Sequence, residues 1–441
     1  MDEIRSRREF IKSALLAGVA VPAMGMGGLA GADKDKSEES GSGEKLKLAV
    51  IGVAAQGAYN LGNVAGENIV ALCDIDANRL AEAAKQHPGA KTYDDYRKLY
   101  ENHQDLDGVV VCTPDHVHAF AAMPALERGI GVYCEKPLAH SVWEVRRMRE
   151  AAKKSGSITQ MGTQIHAGEN YRRVVEAIQG GAIGKVHRVH VWNANVVPPG
   201  ERVAKGEAPA GINYDLWIGP APYRPFHLSH FHFNWRWWWD FGGGSLADLG
   251  CHYIDLPMWA LGFGAPEKVH CTKSEIGHAG DNVVPNFMEV DYHFPARGDQ
   301  PAVHLTWYQG GWKPEGAEEY MKGSAILFEG ADGKLLADYG SRKIFLKNGE
   351  EAQVIPESIP NSIGHHKEWI EAVKNRGSSK QSQTTCNFDY SGQLAETVLL
   401  GNVSHRAGNK ELVWDSENLK ATNFPEADPF IRREYREGWA L

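Results

Sequence analysis

Lys136 stands between Glu135 and Pro137, directly after a short run of apolar residues. An ammonium group at the end of a strand can donate a hydrogen bond to a substrate oxygen and stabilise negative charge as a carbonyl group forms or is reduced. A lysine in an ordinary surface turn does not need this place between a glutamate and a proline. We therefore predict that Lys136 is catalytic and contacts both substrate and cofactor.

Asp248 and His252 are four residues apart, so they share one face of a helix if residues 245–261 are helical, as their pattern indicates. Hydride transfer from a carbinol also requires loss of the hydroxyl proton, and an imidazole oriented by a carboxylate has the pKa range for that transfer. We predict that both residues are catalytic and contact substrate. Asp255 is expected to extend the same polar stripe.

A glycine-containing turn at residues 51–57 follows the first apolar run, where dinucleotide-binding proteins hold a pyrophosphate. Asp74 ends the second apolar run, where a carboxylate accepts hydrogen bonds from the adenosine ribose and repels a ribose phosphate. We therefore expect NAD rather than NADP; the alternative is that Asp74 starts a turn or caps the next helix. The predicted cofactor-binding residues here are Gly52, Ala54 (in place of the usual second glycine), Ala55, Gln56, Gly57 and Asp74.

Apolar runs alternate with polar, helix-like stretches from residue 46 onwards, which is typical of a parallel α/β domain. Beyond about residue 158 the strand-like runs are grouped without intervening helices, which indicates an antiparallel sheet. We predict strands at 46–53, 69–73, 109–112, 131–134, 187–192, 288–293, 302–307, 325–329 and 342–347, and helices at about 58–65, 120–128, 141–155, 171–179, 365–374 and 391–404.

These elements predict an α/β protein with an N-terminal Rossmann dinucleotide-binding domain at residues 46–160. Residues 161–441 would form a C-terminal α+β domain with a large, mostly antiparallel open sheet, whose final helices are able to pack back on the first domain. A long Pro- and Gly-rich stretch that runs to Phe231 is predicted to be a functional loop.

Three motifs together resemble the Gfo/Idh/MocA oxidoreductases, the superfamily of glucose-fructose oxidoreductase and inositol dehydrogenase. They are residues 111–118, the Glu-Lys-Pro triplet at 135–137, and the Asp248 to His252 segment with Asp255. The resemblance covers the chain from residue 46 nearly to its end. It implies that Lys136, Asp248 and His252 match the lysine, aspartate and histidine of the inositol dehydrogenase catalytic set. It also implies a homo-oligomer built on the open face of the second sheet.

Residues 214–220, 234–237 and 242–244 further resemble an exported bacterial branch of that family.

Because parallel sheets bind ligands beyond the carboxyl ends of their strands, we expect Thr113, Pro114, His118 and Glu135 to lie near the nicotinamide. The aromatic cluster at 235–239 suits either a core or interface, or stacking against sugar rings. The further predicted substrate-binding residues are His166, Tyr171, Trp235 and Arg236. Because His116, His118, His227, His230 and His232 match no standard zinc spacing, we predict no metal site.

Composition excludes several classes of function. The chain has 441 residues, 42% hydrophobic and 23% charged, which is ordinary for a globular protein of two domains. Its 47 Lys and Arg residues against 56 Asp and Glu residues give a net charge of −9, so we expect no nucleic-acid partner. Six cysteines stand singly without a Cys-x-x-Cys pair, which indicates buried thiols.

Arg7 and Arg8 form a twin-arginine pair that leads into an uncharged stretch at residues 13–32. This pattern predicts a Tat export signal over residues 1–32, followed by a disordered leader at residues 33–45. We therefore expect a periplasmic or otherwise exported protein with the Tat machinery as a partner. Because the Tat route carries folded proteins, the cofactor should be loaded beforehand and held tightly.

Three functions are compatible with these residues. The first is an NAD-dependent oxidoreductase that acts on a carbinol of a sugar, polyol or glycoside and recycles its bound cofactor with a second substrate. The second, known in the same superfamily, is a glycoside hydrolase or lyase that oxidises the sugar transiently; it needs an additional base, for which His166, Tyr171 and His232 are candidates. The third is a non-catalytic sugar-binding protein, against which the presence of Lys136 and His252 argues.

Overall fold

The computed structural model describes residues 44–194, 206–227, 231–277, 280, 282–351, 353 and 355–441. The predicted export signal, most of the predicted leader, His230 and parts of the predicted functional loop lie outside these residues. Among the residues described, no helix has both the length and the apolar character needed to cross a membrane.

The first sheet is parallel throughout, with the strand order β3-β2-β1-β4-β5-β6. Its central strands are apolar without alternation because both faces are covered: Val109 and Val111 pack on one side and Val110 on the other. The strand order reverses between β1 and β4, which is where such sheets bind ligands. The strands are β1 (Lys47–Ile51), β2 (Asn68–Cys73), β3 (Lys91–Tyr93), β4 (Gly108–Val111), β5 (Gly131–Cys134) and β6 (Thr159–Met161).

Helices and short 3₁₀ turns connect these strands and lead on to the second sheet. One helix that the sequence predicts clearly is α5, which begins with a capping box in which the Ser141 and Glu144 side chains each accept a backbone hydrogen bond. The helices of this part are α1 (Gln56–Val64), α2 (Ala77–Gln86), α3 (Tyr96–Asn102), α4 (His118–Glu127), α5 (Val142–Ser155) and α6 (Glu169–Gln179).

The second sheet has nine strands in the order β13-β12-β11-β7-β10-β9-β8-β14-β15, and only β7 and β10 pair in parallel among those described. Along β9, buried and half-exposed residues alternate, so one face is covered and the other is open. The strands are β7 (Val186–Trp192), β8 (Lys268–Glu275), β9 (Phe287–Phe294), β10 (Val303–Gln309), β11 (Ala325–Gly330), β12 (Gly333–Ala337), β13 (Arg342–Leu346), β14 (Leu412–Asp415) and β15 (Lys420–Ala421).

These two sheets confirm the predicted fold class, and residues 45–441 form one compact unit. The boundary between residues 160 and 161 stays a prediction. The short strands β3, β6, β14 and β15, together with β8 and β12, were not expected, because their sequences carry charges or few apolar residues. The remaining helices are α7 (Tyr214–Ile218), α8 (Gly244–Tyr253), α9 (Asp255–Leu261), α10 (His365–Lys374), α11 (Phe388–Arg406) and α12 (Asp428–Ile431).

The single helix predicted over residues 245–261 is wrong, since α8 and α9 are separated at Ile254. Pro257 explains the break, because it has no backbone N–H to donate to the carbonyl group of Tyr253. Side chains before and after Ile254 therefore do not share one helix face, and they contact different parts of the protein.

The late helices and the C-terminal segment pack against the first sheet. Trp369 of α10 is fully buried, and a Cβ added at Gly108 would lie 2.8 Å from its ring. Arg433 donates hydrogen bonds to the Glu144 carboxylate (2.7 Å) and to the carbonyl oxygen of His116 (2.7 Å), while the Trp439 ring packs on Phe120. Residues far apart in the chain thus complete the first domain.

Candidate active site

The turn after β1 brings the ends of β1 and β4 into contact. Gly52 has φ +83°, and a Cβ there would lie 2.6 Å from the carbonyl oxygen of Cys112, so only glycine fits. Ala55, with φ 51°, precedes α1 without capping it, and the first turn of α1 has no acidic residue. The N–H groups of Ala54, Ala55 and Gln56 donate to no acceptor among the described residues, so they are available to an anion such as a pyrophosphate.

Asp74 lies beside this turn at the end of β2. Its Oδ2 accepts a hydrogen bond from the Val53 N–H (2.9 Å) and its Oδ1 accepts one from the Asp76 N–H (3.0 Å). Burial raises the pKa of Asp74, although these two bonds oppose the shift. Helix α2 is capped by Asp76, so the alternative that Asp74 caps it is wrong, while its bond to Asp76 does start a turn. A carboxylate has about four acceptor sites, which leaves two for ribose hydroxyls.

Two buried polar atoms beyond β4 have no protein partner. The Nε2–H of His118 donates to the carbonyl oxygen of Thr113 (2.7 Å), which leaves Nδ1 as an acceptor. That Nδ1 and the hydroxyl of Thr113 are buried without a hydrogen bond among the described residues. Burial lowers the pKa of His118 to about 3, so the ring stays neutral. Orphaned polar atoms beside the strand-order reversal fit a polar ligand group such as the nicotinamide carboxamide.

Glu135 holds three side-chain amides in place. Its Oε1 accepts hydrogen bonds from the amides of Gln56 (3.1 Å), Asn60 (2.8 Å) and Gln164 (2.9 Å). Gln56 is thereby tied to the strand end that carries Lys136. The same three bonds connect the phosphate-binding turn with the candidate catalytic centre.

Lys136, Arg236 and Asp248 form the charged centre of the site. The Lys136 ammonium donates to the carbonyl oxygen of Asp248 (2.7 Å) and to its Oδ1, and the Arg236 Nε–H donates to the same Oδ1 (3.1 Å). Burial alone would raise the pKa of Asp248, but the two cations outweigh it and hold that pKa well below its usual range. The Lys136 side chain is 12% exposed and that of Asp248 21% exposed, so the centre still reaches solvent.

His252 lies one turn after Asp248 on α8, as predicted, but the carboxylate does not orient it. Asp248 is taken up by Lys136 and Arg236, and the buried Nδ1 of His252 has no partner among the described residues. Burial, reinforced by the charge of Lys136, lowers the pKa of His252 to about 3. The expected Asp248–His252 hydrogen bond is therefore wrong, because two nearby cations compete for the same oxygen.

Asp255 also departs from the prediction, since it belongs to α9 and not to the stripe of Asp248. Its fully buried carboxylate accepts hydrogen bonds from the His166 Nδ1–H (2.9 Å) and the Tyr390 hydroxyl (2.6 Å). His166 stacks on Trp259 with ring centroids 4.2 Å apart. The result is a second imidazole whose Nε2 has no hydrogen bond among the described residues. Burial lowers the pKa of His365 to about 3, and the imidazoles of His166 and His252 add to that shift.

Tyr171 and Trp235, which were also predicted to bind substrate, contact other parts of the protein. The Tyr171 hydroxyl donates to the carbonyl oxygen of His252 (2.9 Å) and so supports α8. Trp235 is buried in a cluster of aromatic side chains, and its ring lies 4.3 Å below the Arg236 guanidinium. Trp235 thus favours the core interpretation of the aromatic cluster and holds Arg236 over the site.

Asp115 is a site residue that the sequence reasoning missed. It follows Pro114 in the 3₁₀ turn after β4 and is buried. Burial raises its pKa to about 7, although Arg236 and Lys136 oppose the shift. The signal that could have identified Asp115 is its place directly after Thr113 and Pro114, which were predicted to lie near the nicotinamide.

Three of the histidines in the predicted groups have partners that the structure describes. His116 and His118 each donate to a backbone carbonyl group, and the His232 ring lies 3.3 Å from the Asp76 carboxylate. His232 is therefore near the start of α2 rather than at Lys136.

Two family models cover most of the chain. Residues 46–163 match the model described as oxidoreductase family, NAD-binding Rossmann fold, and residues 185–441 match oxidoreductase family, C-terminal alpha/beta domain. Both models belong to the Gfo/Idh/MocA family.

Curated relatives include polyol dehydrogenases. The chain is 34% identical over 161 residues to an inositol 2-dehydrogenase of Salmonella paratyphi B, which covers 35% of this chain and 48% of that protein. It is 29% identical over 157 residues to a myo-inositol 2-dehydrogenase of Thermotoga maritima, covering 35% of this chain and 47% of the relative. The chain thus spans about half the length of the curated relatives it matches.

Solved structures share the fold at low identity. The aldose-aldose oxidoreductase from Caulobacter crescentus complexed with glycerol gives a TM-score of 0.58 at 16% identity, over 84% of this chain and 100% of that one. The WlbA dehydrogenase from Bordetella pertussis in complex with NADH and UDP-GlcNAcA gives 0.57 at 16% identity, over 84% and 99%. Because the two family models extend over both sheets, the chain belongs to the Gfo/Idh/MocA oxidoreductase family.

Proposed function

We propose that the protein is an NAD-dependent oxidoreductase that acts on a carbinol of a sugar, polyol or glycoside. The observation that carries the proposal is the charged centre of Lys136, Arg236 and Asp248 beside the orphaned atoms of Thr113 and His118. The relatives named as inositol dehydrogenases and as an aldose-aldose oxidoreductase support the substrate class. When bound, NAD supplies the acceptor for the hydride.

Two residues of the chain act on the substrate hydroxyl group: Lys136 donates a hydrogen bond to its oxygen, and His252 accepts its proton. An ammonium has three N–H groups, and Lys136 uses two of them on Asp248, so the third is left for the substrate oxygen. Neutral His252 takes the hydroxyl proton at its unpartnered Nδ1 as the carbinol is oxidised, and returns it in the reverse reaction. Asp248 and Arg236 hold the ammonium in place.

Cofactor choice and retention complete the proposal. Asp74 at the ribose end favours NAD over NADP, because it would repel a ribose phosphate. The twin-arginine sequence supports export by the Tat route and a periplasmic location, where a tightly bound cofactor must be recycled by a second substrate. The open face of the second sheet supports a homo-oligomer, which sedimentation velocity would test; a monomer at all concentrations would contradict it.

The first experiment is mass spectrometry of the acid-denatured, purified protein to identify any nucleotide that is carried through purification. We expect NAD(H) at close to one equivalent. The loaded protein is then offered paired sugars and polyols while NADH absorbance is followed. A protein that purifies empty and does not rebind NAD would overturn the proposal in favour of a sugar-binding protein.

A second function is favoured by one observation, the His166–Asp255 pair. A glycoside hydrolase or lyase with transient oxidation needs a further base, and of the three candidates Tyr171 is engaged with His252 and His232 with Asp76. His232 also has a carboxylate partner but lies near the start of α2, whereas His166 has Asp255 on Nδ1 and no hydrogen bond at Nε2 among the described residues, which is the arrangement of an oriented base. Product analysis of aryl glycosides distinguishes the two: hydrolysis without a keto-sugar identifies the second function.

A further inference from the structure

Two histidines and an aspartate form a compact group on the open face of the second sheet. This group, the Asp291 cluster, consists of Asp291 and His293 on β9 and His304 on β10. His304 lies directly opposite His293 in the antiparallel ladder, and their stacked rings have centroids 4.3 Å apart. One ligand atom from each of the three residues lies within 4.8 Å of the others.

We propose that the Asp291 cluster binds a divalent transition-metal ion, for which Zn²⁺ is the expected occupant. Two imidazoles and one carboxylate suit Zn²⁺ and its neighbours in the first transition row, whereas Mg²⁺ and Ca²⁺ prefer oxygen ligands alone. Ligand atoms on one tetrahedral Zn²⁺ are about 3.3 Å apart. Small rotations of these half-exposed rings close the remaining gap without movement of the strands.

Neighbouring side chains already hold the carboxylate of the cluster. The Thr306 hydroxyl donates to Asp291 Oδ1 (2.5 Å), and Arg188 donates in turn to that hydroxyl (2.7 Å). Asp291 Oδ1 is also 2.8 Å from Nε2 of His304, a hydrogen bond that a metal would replace with two coordinate bonds. Such outer contacts fix ligand orientation in metal sites.

Two basic residues adjoin the cluster in the sheet. Lys268 lies opposite His293 on β8, but its ammonium is paired with Glu411 at 3.2 Å. Arg188 lies opposite His304 on β7 and donates to Thr306, but it has no carboxylate partner among the described residues, so its positive charge opposes a bound cation. Three protein ligands leave a fourth position for water or for a group from a second copy.

The cluster is separate from the candidate active site. Val290 and Tyr292, which alternate with the cluster residues on β9, point to the covered face, where the Tyr292 hydroxyl lies 3.4 Å from the carbonyl oxygen of Val398 on α11. The proposal therefore does not depend on the proposed enzymatic function, and either one can fail alone.

Calorimetric titration of Zn²⁺ into the chelator-treated, assembled protein tests the proposal, with Co²⁺ absorption spectra as a second readout. We expect one equivalent to bind with micromolar or tighter Kd. His293→Gln and Asp291→Asn should each weaken binding by more than 30-fold and abolish the Co²⁺ spectrum. His187→Gln, a substitution of an exposed histidine on β7, should leave binding unchanged.

Equal Zn²⁺ affinity in the wild type and in His293→Gln would overturn the proposal, as would no binding by the wild type at millimolar Zn²⁺. Circular dichroism checks that each variant is folded. If His293→Gln does not fold, Asp291→Asn carries the same comparison. A rise in Tm on Zn²⁺ addition, present in the wild type and in His187→Gln but absent in the cluster variants, supports the site independently.

Discussion

Asp248 and Asp255 stand on either side of the helix break at Ile254, and their surroundings are opposite in kind. Asp248 receives the ammonium of Lys136 and the guanidinium of Arg236, and it is 21% exposed. Asp255 is fully buried and receives an imidazole and a phenol. The difference indicates two tasks, because Asp248 fixes the position of a charge whereas Asp255 fixes the direction of a ring.

Lys136→Met should have the largest effect, because it removes the charge that Asp248 positions. We expect kcat to fall by about 10²- to 10³-fold, the usual loss of one donor to a developing oxyanion. The measurement is NADH formation with a sugar that the wild type oxidises. Lys154→Met, on the exposed side of α5, is the matched control and should retain full activity. Unchanged turnover in Lys136→Met would refute the site assignment.

Asp248→Asn should come second, with kcat lower by about 10²-fold because the ammonium loses its fixed position. The asparagine keeps the shape of the side chain and one acceptor oxygen. Bound NAD, measured on the same preparations by mass spectrometry, should stay at the wild-type level. The comparison fails if this variant turns over at the wild-type rate.

Asp255→Asn should act mainly on stability, because it removes a buried charged acceptor with two donors. We expect the free energy of unfolding to fall by about 2–3 kcal/mol. Urea unfolding gives the value, and Asp105→Asn, at an exposed carboxylate, should leave it close to that of the wild type. Equal values for the two variants would show that Asp255 has no special structural task.

The pH dependence of stability should show the smallest effect, at the imidazole that has no carboxylate partner. The folded pKa of His252 is lowered to about 3, whereas an unfolded histidine titrates near about 6.5. Between these two pKa values only the unfolded state binds the proton. The contribution of neutral His252 to the free energy of unfolding is therefore complete above about pH 6.5. It is lost as the pH falls, by up to about 1.4 kcal/mol per pH unit. Between pH 7 and pH 5 the contribution of His252 should fall by about 2 kcal/mol in the wild type, and this fall should be absent in His252→Gln. Parallel curves would contradict the neutral, buried state of His252.

The sequence predicted those features that depend on local pattern. Continuous apolar residues identified β4 and β5, because a strand buried on both faces is apolar throughout. Alternation identified β9, because a strand buried on one face is apolar at every second residue. Lys136 and Asp248 were expected together and do meet.

What the sequence did not predict depends on contacts between distant segments. Tyr390 donates to Asp255 across 135 positions of the chain, and no spacing rule connects the two. Arg236 was placed in the site, but its hydrogen bond to Asp248, the carboxylate expected to orient His252, follows only from the three-dimensional structure. Pro257 was the one local signal of the helix break, and its missing N–H was the physical clue.

The packing of late residues on the first sheet has a consequence for the order of synthesis. Trp369 and Trp439 fill contacts with Gly108 and Phe120, which the ribosome makes hundreds of residues earlier. Translation adds about 5–20 residues per second, so the nucleotide-binding half waits many seconds with apolar surface uncovered. Chaperones that bind the nascent chain should therefore matter more for the folding of this protein than for that of a protein whose first domain is complete before its second domain is synthesised.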